Sequence, residues 1–188
     1  ARHETGPTGK EIGMDFTPAM IEKARINAET LGFHNVEFRQ GDIEHMPVSA
    51  NVANVIVSNC VLNLVPNKDG VFKEIHRVLK PGGHFSISDV VLKGDLPHAL
   101  QHDAEMYAGC VAGAIQRQEY LNLIHQNGFT NVTVQKEKFI SIPDDILSHY
   151  LSEAQIESFK SGKTGIASIT VYAEKPLETK ACCAPGSG

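Results

Sequence analysis

Each apolar run in the first half of this chain leads into a polar residue, and a helical period separates one run from the next. Ile12-Gly13-Met14-Asp15 reads as a short buried strand closed by an acid, and Val36-Glu37-Phe38 leads into Gly41-Asp42. The β-branched run Val52–Ser58 leads into Asn59-Cys60, and Phe85–Leu92 carries Asp89. Between the first two runs, Met20, Ile21, Ala24, Ala28 and Leu31 share a helical face, opened by Thr17-Pro18 and stopped by Gly32. Val71, Phe72, Ile75, Val78 and Leu79 mark a second amphipathic helix, ended by Lys80-Pro81-Gly82-Gly83. Strands alternating with helices predict an α/β fold: a parallel, doubly wound sheet with helices on both faces. Ligands of such sheets bind beyond the carboxyl ends of the strands. Asp15, Gly41, Asp42, Ser58, Asn59, Cys60 and Asp89 fall at those ends.

The pattern then changes. Pro97–Ala114 is rich in Ala, Gly and His and reads as helix and loop. Gln118–Gln126 is a short helix with Tyr120, Leu121, Leu123 and Ile124 inward. Gly128-Phe129-Thr130-Asn131-Val132 repeats the helix-stop-to-strand chemistry of Gly32-Phe33-His34-Asn35-Val36. Val132–Ile142 comes next as a strand, Asp144–Lys160 as a helical stretch and Ile166–Glu174 as the last strand. The expected organisation is a core over 1–94, a helical cap and C-terminal strands of the same domain over 95–180, and a disordered cysteine-containing tail over 181–188. Pro97–Gly128 is the segment expected to cover the strand ends.

A chain of 188 residues, 41% of them hydrophobic, can build one cored domain and hardly two. A net charge of −5, with no basic patch, argues against nucleic-acid and anionic-membrane partners. No apolar run approaches membrane-spanning length and no leader sequence is visible, so a cytoplasmic protein is expected. Ala1–Lys10 is polar and runs straight into a strand, as if the sequence enters a domain part-way. Four cysteines without a C-x-x-C pair fit neither a disulfide scaffold nor a zinc ribbon. Of the nine histidines only His98 and His102 show helical ligand spacing, with no carboxylate or thiol pattern beside them. No nucleophile elbow or phosphate-cradling loop is present.

The candidate residues each carry two readings. Asp15 can accept two hydrogen bonds from a ribose diol, or serve as an acid at a helix start. Asp42 can take the exocyclic amine of adenine, with Ile43 against the ring, or simply close a turn after Gly41. Cys60 and Cys110 can be small core hydrophobes; jointly, at a strand end and in the segment over it, they suit a soft electrophile or metalloid.

Gly13-Met14-Asp15-Phe16-Thr17-Pro18, Asn35–Arg39 with Gly41–Glu44, Ser58–Leu64, Arg77–Gly83 and Ala108–Ala114 together resemble the arsenite methyltransferase family, from about Gly6 to the end. Arg77–Gly83 is shared widely among methyltransferases, including ubiquinone/menaquinone-type enzymes, whereas the two cysteine motifs together are specific to the arsenic branch. The resemblance implies a Rossmann-like class I methyltransferase fold, S-adenosylmethionine as donor, and arsenite or its thiol conjugates as acceptor with a thiol reductant. It implies that Asp15 holds the ribose and Asp42 and Ile43 the adenine, with Phe16, Gly41 and Asn59 beside them. Cys60 and Cys110 would ligate As(III), whose lone pair attacks the sulfonium methyl, and Cys182 and Cys183 could carry arsenic. On this resemblance the family's first strand and Gly-rich loop are expected upstream of Ala1, which would leave a gap between the strands at Ile12 and Val52. Two alternatives remain: a quinone- or sterol-type methyltransferase, whose pocket would need more than 6% aromatic residues, and a non-catalytic metalloid-binding remnant.

Overall fold

A computed structural model describes residues 5–97, 99–102, 111 and 113–177. The chain divides into two compact units, residues 1–49 and 50–188.

In the first unit, β1 (Glu11–Asp15) and β2 (Val36–Gln40) form a two-stranded parallel sheet, joined by helix α1 (Pro18–Thr30). Parallel neighbours need such a crossover. Pro18 opens α1, where a missing N–H is harmless, and Gly32 lies just beyond its end with φ 67°. Thr17 occupies the N-cap, but its side chain makes no capping bond. Of the predicted apolar face, Ile21 and Ala28 are buried while Met20 and Leu31 stay 52% and 63% exposed. A two-stranded sheet is too narrow to cover a full helical stripe.

In the second unit, β3 (Ala53–Asn59), β4 (Leu79–Lys93), β5 (Thr130–Phe139) and β6 (Gly165–Glu174) form a sheet in the order β3-β4-β6-β5. The sheet is mixed: β3 is parallel to β4, but β6 is antiparallel to both β4 and β5. Periodicity identifies a strand without fixing its direction, so the all-parallel expectation does not hold here. β4 opens at Leu79 rather than Phe85, because Leu79 pairs with Ala53 and the ladder absorbs Pro81-Gly82-Gly83 as an irregularity. The stretch expected as one helix over Asp144–Lys160 is two, α4 (Asp144–Tyr150) and α5 (Glu153–Lys160). Leu151 is extended between them, and the Ser152 amide donates to the Gln155 side chain at 2.9 Å to start the second.

Helices cover both faces of this sheet. α2 (Lys68–Val78) and α3 (Arg117–Gln126) bury Phe72, Ile75, Tyr120 and Ile124 against Phe85 and Phe129. On the other side Val90, Leu92 and Ile166 pack with Leu100, Val111, Leu147 and Phe159. Asn67 caps α2 by accepting from the Gly70 amide at 3.1 Å. The Lys175 ammonium closes its far end, donating to the His76 and Leu79 carbonyls at 2.8 and 2.9 Å. β3 has β4 as its one sheet neighbour, so Val55 and Val57 remain 49% and 62% exposed despite their β-branched character.

Candidate functional site

The cofactor candidates of the first unit lie together at the carboxyl ends of β1 and β2. The Gly41 amide donates to the Asp15 carbonyl at 3.1 Å, which continues the ladder and sets the two acids on adjacent strand ends. Asp15 Oδ1 accepts from the Thr17 amide at 2.7 Å, so the acid itself serves the helix start that Thr17 leaves uncapped. Asp42 is exposed, and its Oδ1 accepts from the Glu44 amide at 2.9 Å. Both bland readings are thus realised in the geometry, and both leave the carboxylates at the strand mouth. Phe16 is 74% exposed beside them and Ile43 is half-buried. The Gln40 amide group donates to the Phe16 carbonyl at 3.3 Å and pins the turn from β2.

In the second unit, β3 ends at the exposed Asn59, and Cys60 comes next, half-buried, with φ 55°. Left-handed backbone is costly for a non-glycine residue; the other non-glycine cases here are Asn51 and Asn131, and asparagine tolerates it. Two features hold Cys60 there. Its amide donates to the Ser88 carbonyl at 2.7 Å, and a 3-10 turn, Leu62–Leu64, locks the backbone on its C-terminal side. Asn63, 4% exposed, reaches across to β4: its side chain donates to the Val90 carbonyl at 2.7 Å and accepts from the Val90 amide at 2.9 Å. An asparagine amide here stands in for the strand partner that β3 no longer supplies.

Asp89 lies between those two anchor points. Sequence reasoning puts it at a strand mouth; β4 runs on to Lys93 and Asp89 is fully buried. The difference has a simple origin: the parallel ladder with β3 stops at Ser88, whereas the antiparallel ladder with β6 continues to Lys93. Tyr120 Oη donates to Asp89 Oδ2 at 2.7 Å. Oδ1 meets no donor in hydrogen-bond geometry, although the Asn63 and Leu62 amides lie close enough to favour its charged form. Burial dominates and pushes the carboxyl from 3.8 up to about 6, against the Tyr120 hydroxyl, those amides and the Lys68 charge. The Lys68 ammonium, 6% exposed as a residue, donates to the Val65 carbonyl at 3.0 Å, and burial lowers its pKa.

Gly113 approaches the same turn. A Cβ added there would lie 1.7 Å from the Asn63 carbonyl oxygen, so only glycine allows this backbone-to-backbone contact. The segment is tied to β4 at its other end, where the Leu92 amide donates to the Ile115 carbonyl at 2.9 Å. Asn63, Lys68 and Gly113 are not singled out by sequence reasoning, which reads Tyr120 only as an inward residue of its helix. The available signals are an asparagine between two leucines and a lysine opening an apolar helix.

Cys110, Cys182, Cys183 and His98 lie outside the described residues. Of the expected cap, α3 packs on β4, β5 and α2. Among the described residues no group of three or more His, Cys, Asp or Glu could hold a metal ion, and no helix is long and apolar enough to cross a membrane.

Residues 1–128 match the methyltransferase domain family. The chain is 43% identical to an arsenite methyltransferase of Halobacterium salinarum, over 87% of this chain and 43% of that protein. It is 36% identical to one of Aquipseudomonas alcaligenes, over 81% of this chain and 46% of the relative. The chain therefore spans about half the length of the relatives it matches. Among solved structures, CrArsM, an arsenic(III) S-adenosylmethionine methyltransferase from Chlamydomonas reinhardtii, superposes with a TM-score of 0.71 at 30% identity, covering 92% of this chain and 57% of that one.

Proposed function

The chain belongs to the methyltransferase domain family, and from that premise we propose that its protein methylates trivalent arsenic in the cytoplasm, with S-adenosylmethionine as donor and Cys60 and Cys110 as the arsenic ligands. The observation that carries the reading is the left-handed backbone of Cys60 at the carboxyl end of β3, pinned to Ser88. Strain of this kind is kept where a side chain must be aimed. A thiolate aimed from a strand end suits a soft metalloid, and relatives matched over more than four-fifths of this chain are named for arsenite, whereas those named for demethylmenaquinone match over less of it.

The residues present fit the adenosine half of the donor. Asp15 and Asp42, on adjacent strand ends, match a ribose diol and an adenine amine, and exposed Phe16 with half-buried Ile43 offers apolar surface to the base. When bound, S-adenosylmethionine supplies a methyl group activated by its sulfonium charge. The part played by Cys60 and Cys110 is to exchange arsenite's hydroxyls for thiolate sulfur and to fix the direction of the arsenic lone pair. Thiols held reduced for this purpose require a reducing compartment and a thiol co-reactant.

The test is methyl transfer to arsenite by the protein and by its Cys60→Ser and Cys110→Ser variants, with folding followed by circular dichroism. Either substitution should abolish transfer while the fold stays. Undiminished transfer by folded Cys60→Ser would overturn the reading, and arsenite binding without donor binding would identify a metalloid-binding module instead.

A further inference from the structure

We propose that Asp89 is a positioning residue for Cys60: its carboxyl takes up the first amides of the turn that follows the cysteine and so holds the thiol at the end of β3. This rests on the reading of Cys60 as an arsenic ligand given above. The turn's own bonds run from the Leu64 amide to the Val61 carbonyl at 3.0 Å and from the Val65 amide to the Leu62 carbonyl at 3.1 Å. They begin too late to satisfy the Leu62 and Asn63 amides, as at the start of any helical turn. Leu62 and Asn63 are 2% and 4% exposed, where an amide needs an acceptor from within the fold. Both amides lie against the Asp89 carboxyl, close enough to favour its charge.

Asp89 is the middle one of three consecutive β4 residues that grip this turn. Ser88 accepts the Cys60 amide through its carbonyl at 2.7 Å, and Val90 is held through both backbone groups by the Asn63 side chain. On β4 the two outer grips use backbone groups, which any residue supplies; the middle one needs an acid. That acid is costly: it is fully buried, and Oδ1 meets no donor in hydrogen-bond geometry. Packing of α3 on β4 gives no reason for it, since apolar residues in place of the Tyr120–Asp89 pair would pack at least as well. The backbone of Cys60 does give one. At φ 55° a cysteine has no intrinsic preference to stay, and such strain persists only where the surrounding structure holds it.

The experiment compares Asp89→Ala, Asp89→Asn and Tyr120→Phe by denaturant stability, arsenite affinity in calorimetry and NMR of the Cys60 backbone. A left-handed residue brings its amide and α protons close together and gives a strong Overhauser effect between them. In Asp89→Ala that effect at Cys60 should fall to less than half, and arsenite binding should weaken at least tenfold. Asp89→Asn returns an acceptor oxygen to the turn and should bring arsenite affinity back to within threefold of wild type. Tyr120→Phe removes the hydroxyl bond but leaves the carboxyl on the turn, so it should lose stability while arsenite affinity stays within twofold. A merely structural Asp89 would instead make affinity follow stability across the three variants. Should Asp89→Ala lack a cooperative melt, Asp89→Leu combined with Tyr120→Phe replaces the pair by apolar residues and carries the same expectation. A full Overhauser effect at Cys60 in the folded variant overturns the proposal. Arsenite affinity left unchanged by Cys60→Ser overturns the arsenic reading of Cys60, and with it the purpose assigned to Asp89.

Discussion

Tyr120 donates its hydroxyl to Asp89 at 2.7 Å where both side chains are shut from solvent, one on α3 and the other on β4. The pair joins a covering helix to the strand that also anchors the Cys60 turn. One carboxyl oxygen remains without a partner, so the cluster is only partly satisfied. Such groups weaken a fold that well-packed apolar residues would strengthen.

Asp89 holds its proton up to about 6 in the fold but only to about 3.8 when unfolded. Between those values the folded state binds the extra proton, so this contribution to stability is full at low pH and is lost as pH rises. The difference corresponds to about 3 kcal/mol. His76, whose pKa is lowered by burial, works in the opposite direction as pH falls. The wild-type curve is therefore a sum, and comparison with Asp89→Asn isolates the carboxyl. Denaturant stability of Asp89→Asn relative to wild type should rise by about 2 kcal/mol from pH 4.5 to 7.5, the part of the linkage that lies above the unfolded value; parallel curves would show that Asp89 does not titrate in this range.

Asp15 combines two roles that can be separated by substitution. Its Oδ1 takes the Thr17 amide at the start of α1, so Asp15→Ala should cost about 1 kcal/mol of stability as well as donor affinity. Asp15→Asn keeps an oxygen for that amide and removes the charge. Its melting should match wild type, while S-adenosylmethionine binding weakens by about 1.5–3 kcal/mol, the scale of a charge-assisted hydrogen bond. Equal affinity for Asp15→Asn and wild type in calorimetry would reduce Asp15 to a helix-start acid.

The sequence announces the strand–helix alternation because burial on one face leaves a period that can be read directly. Asp15, Asp42 and Cys60 are legible for the same reason: they interrupt that period at strand ends. Asn63 and Gly113 are not, since a carbonyl meeting a glycine depends on two segments fifty residues apart and leaves no periodic trace. Asp89 is visible in the sequence but misplaced by it, because its burial depends on β6 pairing antiparallel beyond the point where β3 stops. Direction of pairing is a tertiary property. The break at Leu151 is hidden for a related reason: Asp144–Lys160 carries helical residues throughout, and the Ser152–Gln155 start signal is local and weak beside them.

Cys182 and Cys183 are adjacent thiols able to chelate As(III), and a tethered pair can raise the effective concentration of arsenic at Cys60 and Cys110. Their Cα atoms, one peptide apart, fall short of the usual bridging distance of about 4.4–6.8 Å, so in a reducing compartment they stay thiols. Removing everything after Thr179 should leave folding and donor binding unchanged and slow turnover only at low arsenite. Equal rates at low and high arsenite, with and without these residues, would remove any delivery role.

Cys60 offers the sharpest separation of strain from function. At φ 55° a β-carbon crowds the next carbonyl, and each non-glycine residue in this region costs roughly 1–2 kcal/mol. Glycine removes that cost and adds back about 0.5–1 kcal/mol of backbone entropy. The Cys60 amide still bonds Ser88 in either case, and the half-buried thiol is not a large part of the core. Cys60→Gly should therefore melt at or slightly above the wild-type temperature while losing arsenite binding altogether. Most changes at a residue beside the core destabilise, so a variant that is no less stable yet inactive is the signature of a side chain held for its chemistry. A fall of more than about 1 kcal/mol in denaturant stability, with arsenite binding kept, would instead assign Cys60 to packing.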